Sequence, residues 1–285
     1  MAHQKLFLND KIKSFLTSLD AFDEVMQLQG VVFRNVPGRK TIQVTIGEHC
    51  YFIKQHFGVG WKEIFKNLIT FKKPIISAIT EKLAIEKLSE LGIATTPLVG
   101  FGVRGCNPAK LQSFIITEDL GNIVSLEDLC KDWVNNPPPP AFKRALIIAV
   151  AQLAGKLHAN GLFHRDFYLC HFCLDAPLFT DLKQRKIKNA NQIKFYLIDL
   201  HRMLLSHKPN VKQNMKDIAA LYFSAKDIGL TLKDLMRFQR YYRQAGALQN
   251  ADFWQQVMRR SALLYARFHS VKFQQKLINE KTLIG

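Results

Sequence analysis

The stretch His164-Arg165-Asp166-Phe167-Tyr168-Leu169-Cys170-His171-Phe172 decides how this chain is interpreted. It follows a segment whose apolar residues recur every three or four positions, as in a helix, and Gly161 is placed to end that helix. A second aspartate, Asp199, lies 33 residues after Asp166, at the end of the apolar run 195–198. Two acids in loops that directly follow regular structure are typical of an active site.

Two charged residues upstream extend this pattern. Lys54 ends a predicted strand, and Glu81 begins a predicted helix over residues 81–91. On a helical wheel Glu81 lies on the apolar side, together with Ala84, Ile85, Leu88 and Leu91. Because a buried unpaired charge is costly, we expect Lys54 to pair with Glu81.

The order Lys54, Glu81, His-Arg-Asp and Asp199 is that of the protein-kinase signature. In phosphoryl transfer the protein mainly positions groups and neutralises spreading charge. Lys54, oriented by Glu81, is expected to hold the α and β phosphates of ATP. Asp199 is the expected Mg²⁺ ligand, and Asp166 is expected to accept the proton of the attacking hydroxyl or to orient that hydroxyl.

The full run 164–172, with Ile198-Asp199-Leu200-His201-Arg202 downstream, resembles the lipopolysaccharide core heptose(I) kinases, a branch of the protein-kinase-like superfamily. The likeness extends over residues 33–202 and includes 33–43, a thin ATP-covering turn, and 58–67. It implies a kinase that uses ATP and Mg²⁺ to phosphorylate the first heptose of the lipid A-linked inner core. It also implies action on the cytoplasmic face of the inner membrane of a Gram-negative bacterium.

The sequence differs from the motifs of ordinary protein kinases at three places. The glycine-rich loop is reduced to Pro37-Gly38-Arg39, in which Gly38 is the candidate nucleotide-binding glycine, and Leu200-His201 follows Asp199 in place of Phe-Gly. His171 stands where those kinases have a metal-binding asparagine, which makes it a second candidate metal ligand. Imidazole is a softer ligand than Mg²⁺ prefers, so the chemistry argues against this metal role.

The patterning predicts an α+β, bilobal protein-kinase-like fold. Residues 1–120 would form a small β-rich ATP-binding lobe with a helix near 80–91, and residues 121–285 a larger, mainly helical lobe for catalysis and acceptor binding. Predicted strands include the alternating segment 42–46 and the segments 51–54, 98–103 and 114–117, and predicted helices include 125–133 and the region around 146–157. The first thirty residues are predicted as helix.

Composition and charge bear on the partners. With 48% apolar and 22% charged residues in 285, the chain is a folded globular protein rather than a disordered one. A net charge of +17 indicates an acidic partner, which the lipid A-linked core oligosaccharide, an anionic glycolipid, would be. The basic amphipathic segment 61–73 either packs on its own lobe or contacts the membrane surface. Whether an acidic carrier protein also binds the basic surface is left open by the sequence.

Cysteine usage and the absence of targeting signals bear on location. Five cysteines in a chain of this size favour a reducing compartment without disulfides. No signal peptide and no membrane-length apolar run are visible, so a cytoplasmic protein peripheral to the inner membrane is expected. Cys170 and Cys173, together with His164 and His171, suggest a metal or redox site. Such a site needs a second pair of ligands or a thioredoxin-like context, and the sequence shows neither, so packed thiols are favoured. Tyr168 is expected to pack.

Other functions compete with the heptose kinase interpretation. A related kinase acting on the octulosonic acid residue of the core, or on an antibiotic, is the nearest alternative. A non-catalytic kinase-like module that binds an acidic partner is another, and the presence of Lys54, Asp166 and Asp199 argues against it. The positive charge also suggests nucleic acid, but no nucleic-acid-binding motif is visible and no such partner is expected.

Overall fold

The computed structural model describes residues 4–61, 64–65 and 75–282. The chain divides into two compact units, one made of Met1–Gly121 and Tyr196–Arg202, the other of Asn122–Phe195 and Met203–Gly285. The sequence analysis placed every residue after 120, Asp199 included, in the second lobe, whereas 196–202 belong to the first unit. They do so because Leu197 N–H donates to the Ala94 carbonyl at 2.9 Å and the Leu197 carbonyl accepts from Thr95 Oγ1 at 2.6 Å.

Within its described residues, the first unit is built on a six-stranded antiparallel sheet. In spatial order its strands are β1 (Gln4–Leu8), β5 (Leu98–Arg104), β6 (Gln112–Glu118), β4 (His49–His56), β3 (Arg39–Ile46) and β2 (Val31–Val36). The predicted alternation in β3 is present, since Ile42 and Val44 are buried and Thr45 is exposed. The strands predicted at 98–103 and 114–117 are confirmed as β5 and β6.

One face of this sheet is covered by α1 (Asp10–Phe15) and α2 (Ala21–Gln27). Asn9 and Asp20 cap these helices, because their side-chain oxygens accept from backbone N–H groups of the first turns. The resulting core contains Leu8, Ile12, Phe22, Val25, Met26, Ile42, Val44, Tyr51, Ile53, Val99, Phe114 and Ile116. The prediction of helix over the first thirty residues was wrong for β1, which pairs with β5.

The opposite face of the sheet carries α3 (Ile79–Glu90). Lys54, Ile115 and Phe101 lie side by side on β4, β6 and β5. The ammonium of Lys82 in α3 lies 5.7 Å from the centre of the Phe101 ring. The helix predicted over 81–91 is therefore confirmed, and it lies on the face of the sheet that presents Lys54.

The second unit is mainly helical. Its helices are α4 (Leu126–Cys130), α5 (Pro140–Ala159), α6 (Asp181–Gln184), α7 (Val211–Ser224), α8 (Leu232–Gln244), α9 (Phe253–Phe268) and α10 (Val271–Thr282). Short antiparallel pairs join β7 (Ile123–Ser125) to β9 (Phe172–Asp175) and β8 (Leu162–Phe163) to β11 (Leu204–Leu205). The remaining short strand, β10 (Tyr196–Leu197), belongs to the first unit.

Helix α5 leads to the loop that contains His164, Arg165 and Asp166. It begins at Pro140, a residue that suits the first helical position because its missing N–H has no partner there. The apolar stripe predicted for this helix is buried at Leu146, Val150 and Leu157. Gly161 has φ +69° just after the helix, which is the conformation that a glycine at a helix end adopts readily. Among the helices that the structure describes, none has the length and apolar character needed to cross a membrane.

Candidate active site

An ion pair lies on the α3 face of the sheet. Lys54 Nζ is 2.6 Å from Glu81 Oε1, as the helical-wheel argument predicted. Glu81 is 3% exposed and shares the buried side of α3 with Ala84, Ile85 and Leu88. Burial disfavours the charged amine, but the carboxylates of Glu81 and Asp199 outweigh it and raise the pKa of Lys54 above its ordinary value. Lys54 is therefore a cation held in place by a buried carboxylate.

Asp199 approaches this pair from the loop after β10. Its backbone has φ +62°, a left-handed conformation that few residues other than glycine adopt and that is concentrated at functional sites. Its carboxylate accepts a hydrogen bond from His201 Nδ1. Lys54, Glu81 and Asp199 line one cavity of about 200 Å³. The predicted pairing of Lys54 with Glu81 is confirmed, and Asp199 lines the same cavity while Asp166 does not. The roles of these residues toward a nucleotide and a metal stay predictions.

Two buried polar atoms of this cavity indicate that it accommodates a bound group. Among the described residues, neither Glu81 Oε2 nor His56 Nδ1 has a hydrogen-bond partner, whereas buried polar atoms of native proteins are normally bonded. An amine suits phosphate oxygens, and the Asp199 carboxylate suits Mg²⁺. In the described part of the chain no group of three or more His, Cys, Asp or Glu side chains is placed to hold a metal ion.

Gly38 lies at the tip of the hairpin formed by β2 and β3. Its φ is +78°, and Pro37 followed by such a glycine is the sequence of a type II turn. A side chain on Gly38 would approach the Gly58 carbonyl oxygen to 2.7 Å, so the turn requires glycine. Gly38 is absent from the described residues that line the cavity, and its contact with a nucleotide stays a prediction.

The His-Arg-Asp loop of the second unit is held by a residue that the sequence analysis missed. Asp217, in α7, is 2% exposed and accepts from the backbone N–H groups of His164 and Arg165 at 2.7 and 3.0 Å. Arg165 has φ +71°, so these bonds fix an uncommon backbone conformation next to Asp166. The available signal was weak: Asp217 is the one acid between residues 200 and 226, and it precedes an apolar run.

His171 contacts the same loop. Its Nδ1 lies 2.6 Å from the backbone carbonyl oxygen of Asp166; a carbonyl only accepts, so Nδ1 is the donor of this hydrogen bond. The ring also stacks on His164 at 5.4 Å. This geometry makes His171 a residue that positions the Asp166 backbone, and its role as a metal ligand stays a prediction.

The neighbouring Tyr168 and cysteines show packing contacts. The Tyr168 ring lies 6.1 Å from Phe223 and 6.2 Å from His171. Cys173 is buried, and burial, reinforced by Cys170 and Asp128, raises the pKa of its thiol to about 11. A thiol that is protonated at neutral pH is a poor metal ligand and a poor nucleophile.

Comparison with known proteins places the chain in a family. Residues 23–242 match the model of the lipopolysaccharide kinase (Kdo/WaaP) family. The chain belongs to this family. The resemblance drawn from 164–172 and 198–202 is thereby confirmed, and this lipopolysaccharide kinase is a phosphotransferase.

Two relatives and one solved structure illustrate the similarity. The lipopolysaccharide core heptose(I) kinase WaaP of Pseudomonas aeruginosa PAO1 is 44% identical over 240 residues, which cover 84% of this kinase and 86% of that protein. The protein of the same name from Escherichia coli K12 is 42% identical over 235 residues, covering 82% and 86%. A structure of WaaP in complex with acyl carrier protein matches with a TM-score of 0.74 and 35% identity, covering 92% of this kinase and 99% of that chain. The predicted α+β, kinase-like fold is confirmed.

His56 makes the stability of this kinase sensitive to acid. Burial, together with Arg39, Lys54 and His201, lowers the pKa of His56 to about 3. Below pH ~6.5 His56 is therefore protonated in the unfolded chain but stays neutral in the folded chain. This residue therefore costs about 1.4 kcal/mol of unfolding free energy for each pH unit between roughly 6.5 and 3. We expect His56→Gln to remove that slope in urea unfolding measured from pH 7 to pH 4.

The control for this experiment is His49→Gln, which alters an exposed histidine at the start of the same strand. It should keep the acid slope of the unaltered protein. Parallel stability curves for His56→Gln and the unaltered protein would contradict the assignment.

Proposed function

We propose that this kinase transfers a phosphoryl group from ATP to the first heptose of the lipopolysaccharide inner core. The cavity that brings Lys54, Glu81 and Asp199 together carries the phosphotransferase part of the proposal. The acceptor follows from relatives that are 42–44% identical and named heptose(I) kinases. The matched regions cover 84% and 82% of this chain and 86% of each relative, which supports assigning the same acceptor to this kinase.

The residues of the first unit suit the nucleotide. When bound, ATP supplies the phosphoryl group and Mg²⁺ neutralises negative charge on its phosphates. Lys54, fixed by Glu81, would bind the α and β phosphates. Asp199 would hold Mg²⁺, and His201, which donates to its carboxylate, would orient that carboxylate.

Asp166 is proposed to act on the acceptor hydroxyl. In this role it orients the hydroxyl and takes its proton. As the sugar oxygen bonds to the γ-phosphorus of ATP, the bond between that phosphorus and the β–γ bridging oxygen breaks, and ADP leaves. Asp217 and His171 hold the backbone on either side of the Asp166 carboxylate. The rigid loop is the kind of support that a catalytic carboxylate requires, because catalysis depends on position to a fraction of an ångström.

Transfer of labelled phosphate to a purified acceptor tests the function. The full chain is incubated with γ-labelled ATP and Mg²⁺ and with lipid A-core that lacks phosphate on the first heptose. We expect label on that acceptor and none on a matched core that ends before the heptose. Label on the heptose-free core would favour the octulosonic acid alternative, and binding of the acceptor without any transfer would favour a non-catalytic module.

An acidic carrier protein is the further partner that we propose. A WaaP structure is described as a complex with acyl carrier protein, and the +17 charge of this chain complements an acidic protein. The second unit also encloses an apolar cavity of about 100 Å³, which would accept a hydrocarbon chain. Its lining includes Leu126, Trp133, Leu146, Leu221, Phe238 and Trp254.

We also propose that the protein works at the cytoplasmic face of the inner membrane, where its glycolipid acceptor would be anchored. The predicted basic amphipathic segment 61–73 lies mostly outside the described residues. Of its described apolar residues, Trp61 and Phe65 are 51% and 56% exposed while Ile64 is buried. Two exposed rings 5.9 Å apart favour contact with lipid at this point.

A further inference from the structure

A β-bulge at the edge of the six-stranded sheet alters which side chains face the cavity. Val32 pairs with Ile42, but Arg34, two residues on, pairs with Thr41, so β2 contains one extra residue at Phe33. In a regular strand the side chains of Phe33 and Arg34 would point to opposite faces. Here Phe33 packs on Phe52, with ring centres 5.0 Å apart, and Arg34 is in line with Thr41 on the same face.

The register of the neighbouring strands aligns this arginine with the cavity. Thr41 pairs with Lys54, so Arg34, Thr41 and Lys54 form one row across three strands. Arg39, two residues before Thr41 and hence on the same face, pairs with His56. Arg34, Arg39, Lys54 and His56 all line the cavity that contains Glu81 and Asp199.

The charges of the cavity favour an anion. Four cationic side chains line it against the two carboxylates of Glu81 and Asp199; they are Arg34, Arg39, Lys40 and Lys54. Arg34 is close enough to Lys54 to oppose the raised pKa of the amine, and Arg39 helps to lower the pKa of His56. Like charges gathered in one cavity repel each other, and a bound polyphosphate would relieve that repulsion.

The hairpin itself offers few backbone donors for phosphate. Protein kinases cover the phosphates with a loop that contains several glycines, whereas this turn consists of Pro37 and Gly38, and proline has no N–H. Guanidinium groups present several donors in a planar fork that matches phosphate oxygens. Arginine side chains on the strands that flank the turn are therefore suited to bind phosphate in place of backbone N–H groups.

We infer that Arg34 and Arg39 bind the phosphate groups of the nucleotide through their side chains, and that the bulge at Phe33 is what directs Arg34 to them. The inference rests on the proposed function, because it takes the cavity as the ATP site. It assigns phosphate recognition to a pair of arginines in addition to Lys54.

Binding of a nucleotide series to the full chain tests this inference without reference to catalysis. Calorimetry is carried out with ATP, ADP and adenosine at one fixed Mg²⁺ concentration. We expect Arg34→Gln and Arg39→Gln each to weaken ATP binding by about ten- to hundredfold, since each removes a charge-assisted hydrogen bond. Adenosine binding should change by less than about twofold, because adenosine has no phosphate to lose.

Lys5→Gln is the matched control. Lys5 is exposed and lies on β1, at the opposite edge of the same sheet from β2, and it does not line the cavity. This substitution removes one positive charge, as the arginine substitutions do, and should leave ATP binding unchanged. Arg34→Lys should retain the charge and restore only part of the affinity, because ammonium lacks the planar fork.

The outcomes separate the two proposals. A wild-type chain that binds none of the nucleotides would overturn the proposed function and this inference with it. Wild-type ATP binding that survives both arginine substitutions would overturn the inference alone. Equal loss of ATP and adenosine would also overturn it, because the arginines would then support the fold of the cavity rather than recognise phosphate; circular dichroism of the unliganded variants checks their folding.

Discussion

Asp166→Asn is expected to lower kcat for phosphate transfer to the heptose acceptor by about 10²–10⁴-fold, the usual contribution of a positioned general base. Asparagine has nearly the same size as aspartate, but its amide does not take the proton of the attacking hydroxyl. The backbone of the loop should be unaffected, because Asp217 and His171 bond to main-chain atoms of residues 164–166. Steady-state rates with saturating ATP and acceptor measure the effect.

Two comparisons make this result specific to the Asp166 carboxylate. The Kd for ATP should stay within about twofold of wild type, because the proposed phosphate-binding residues, Lys54 among them, belong to the first unit. Asp252→Asn, at an exposed aspartate of the second unit, should retain full activity. A wild-type rate in Asp166→Asn would remove this residue from the catalytic role.

Asp217→Ala should lower both stability and activity. The carboxylate accepts from two backbone N–H groups of the catalytic loop, His164 at 2.7 Å and Arg165 at 3.0 Å. The first hydrogen bond is buried and the second is partly buried. Alanine leaves both N–H groups without an acceptor, which is expected to lower the free energy of unfolding by about 2–4 kcal/mol. Arg165 would also lose the contact that holds its φ of +71°. Urea unfolding and transfer rates, measured on the same preparation, give the two effects.

A graded variant distinguishes bonding from packing at this position. Asp217→Asn keeps the volume and one accepting oxygen, so its loss of stability should be smaller than that of the alanine variant. Activity should follow the same order, with wild type above asparagine and asparagine above alanine. Alanine and asparagine variants as stable as the wild type would show that the two backbone bonds contribute nothing measurable.

Several parts of the site were predictable because they depend on local periodicity. The burial of Glu81 follows from the helical repeat of α3. Because a buried carboxylate requires a cation, Lys54 was predicted as its partner, and the 2.6 Å contact confirms the pair. The length of the motif around Asp166 was enough to predict the family.

Other parts had no local signal. Asp217 lies 53 positions after His164, and the pattern of α7 does not distinguish a carboxylate that caps a distant loop from one that faces solvent. The segment Gln4–Leu8 was predicted as helix but forms β1, because its backbone is satisfied by pairing with β5 rather than within itself. The assignment of 196–202 to the first unit likewise depends on bonds to Ala94 and Thr95, about a hundred residues earlier.

The sequence by itself determined the family, the α+β class and the identity of the charged residues, because motifs and repeat periods are properties of neighbours along the chain. Only the tertiary structure decided that Arg34 shares a face with Lys54 and that Asp217 holds the loop before Asp166. The physical reason is that strand register and long-range hydrogen bonds depend on which segments meet. A one-residue bulge such as that at Phe33 reverses the direction of a side chain without changing any letter of the sequence.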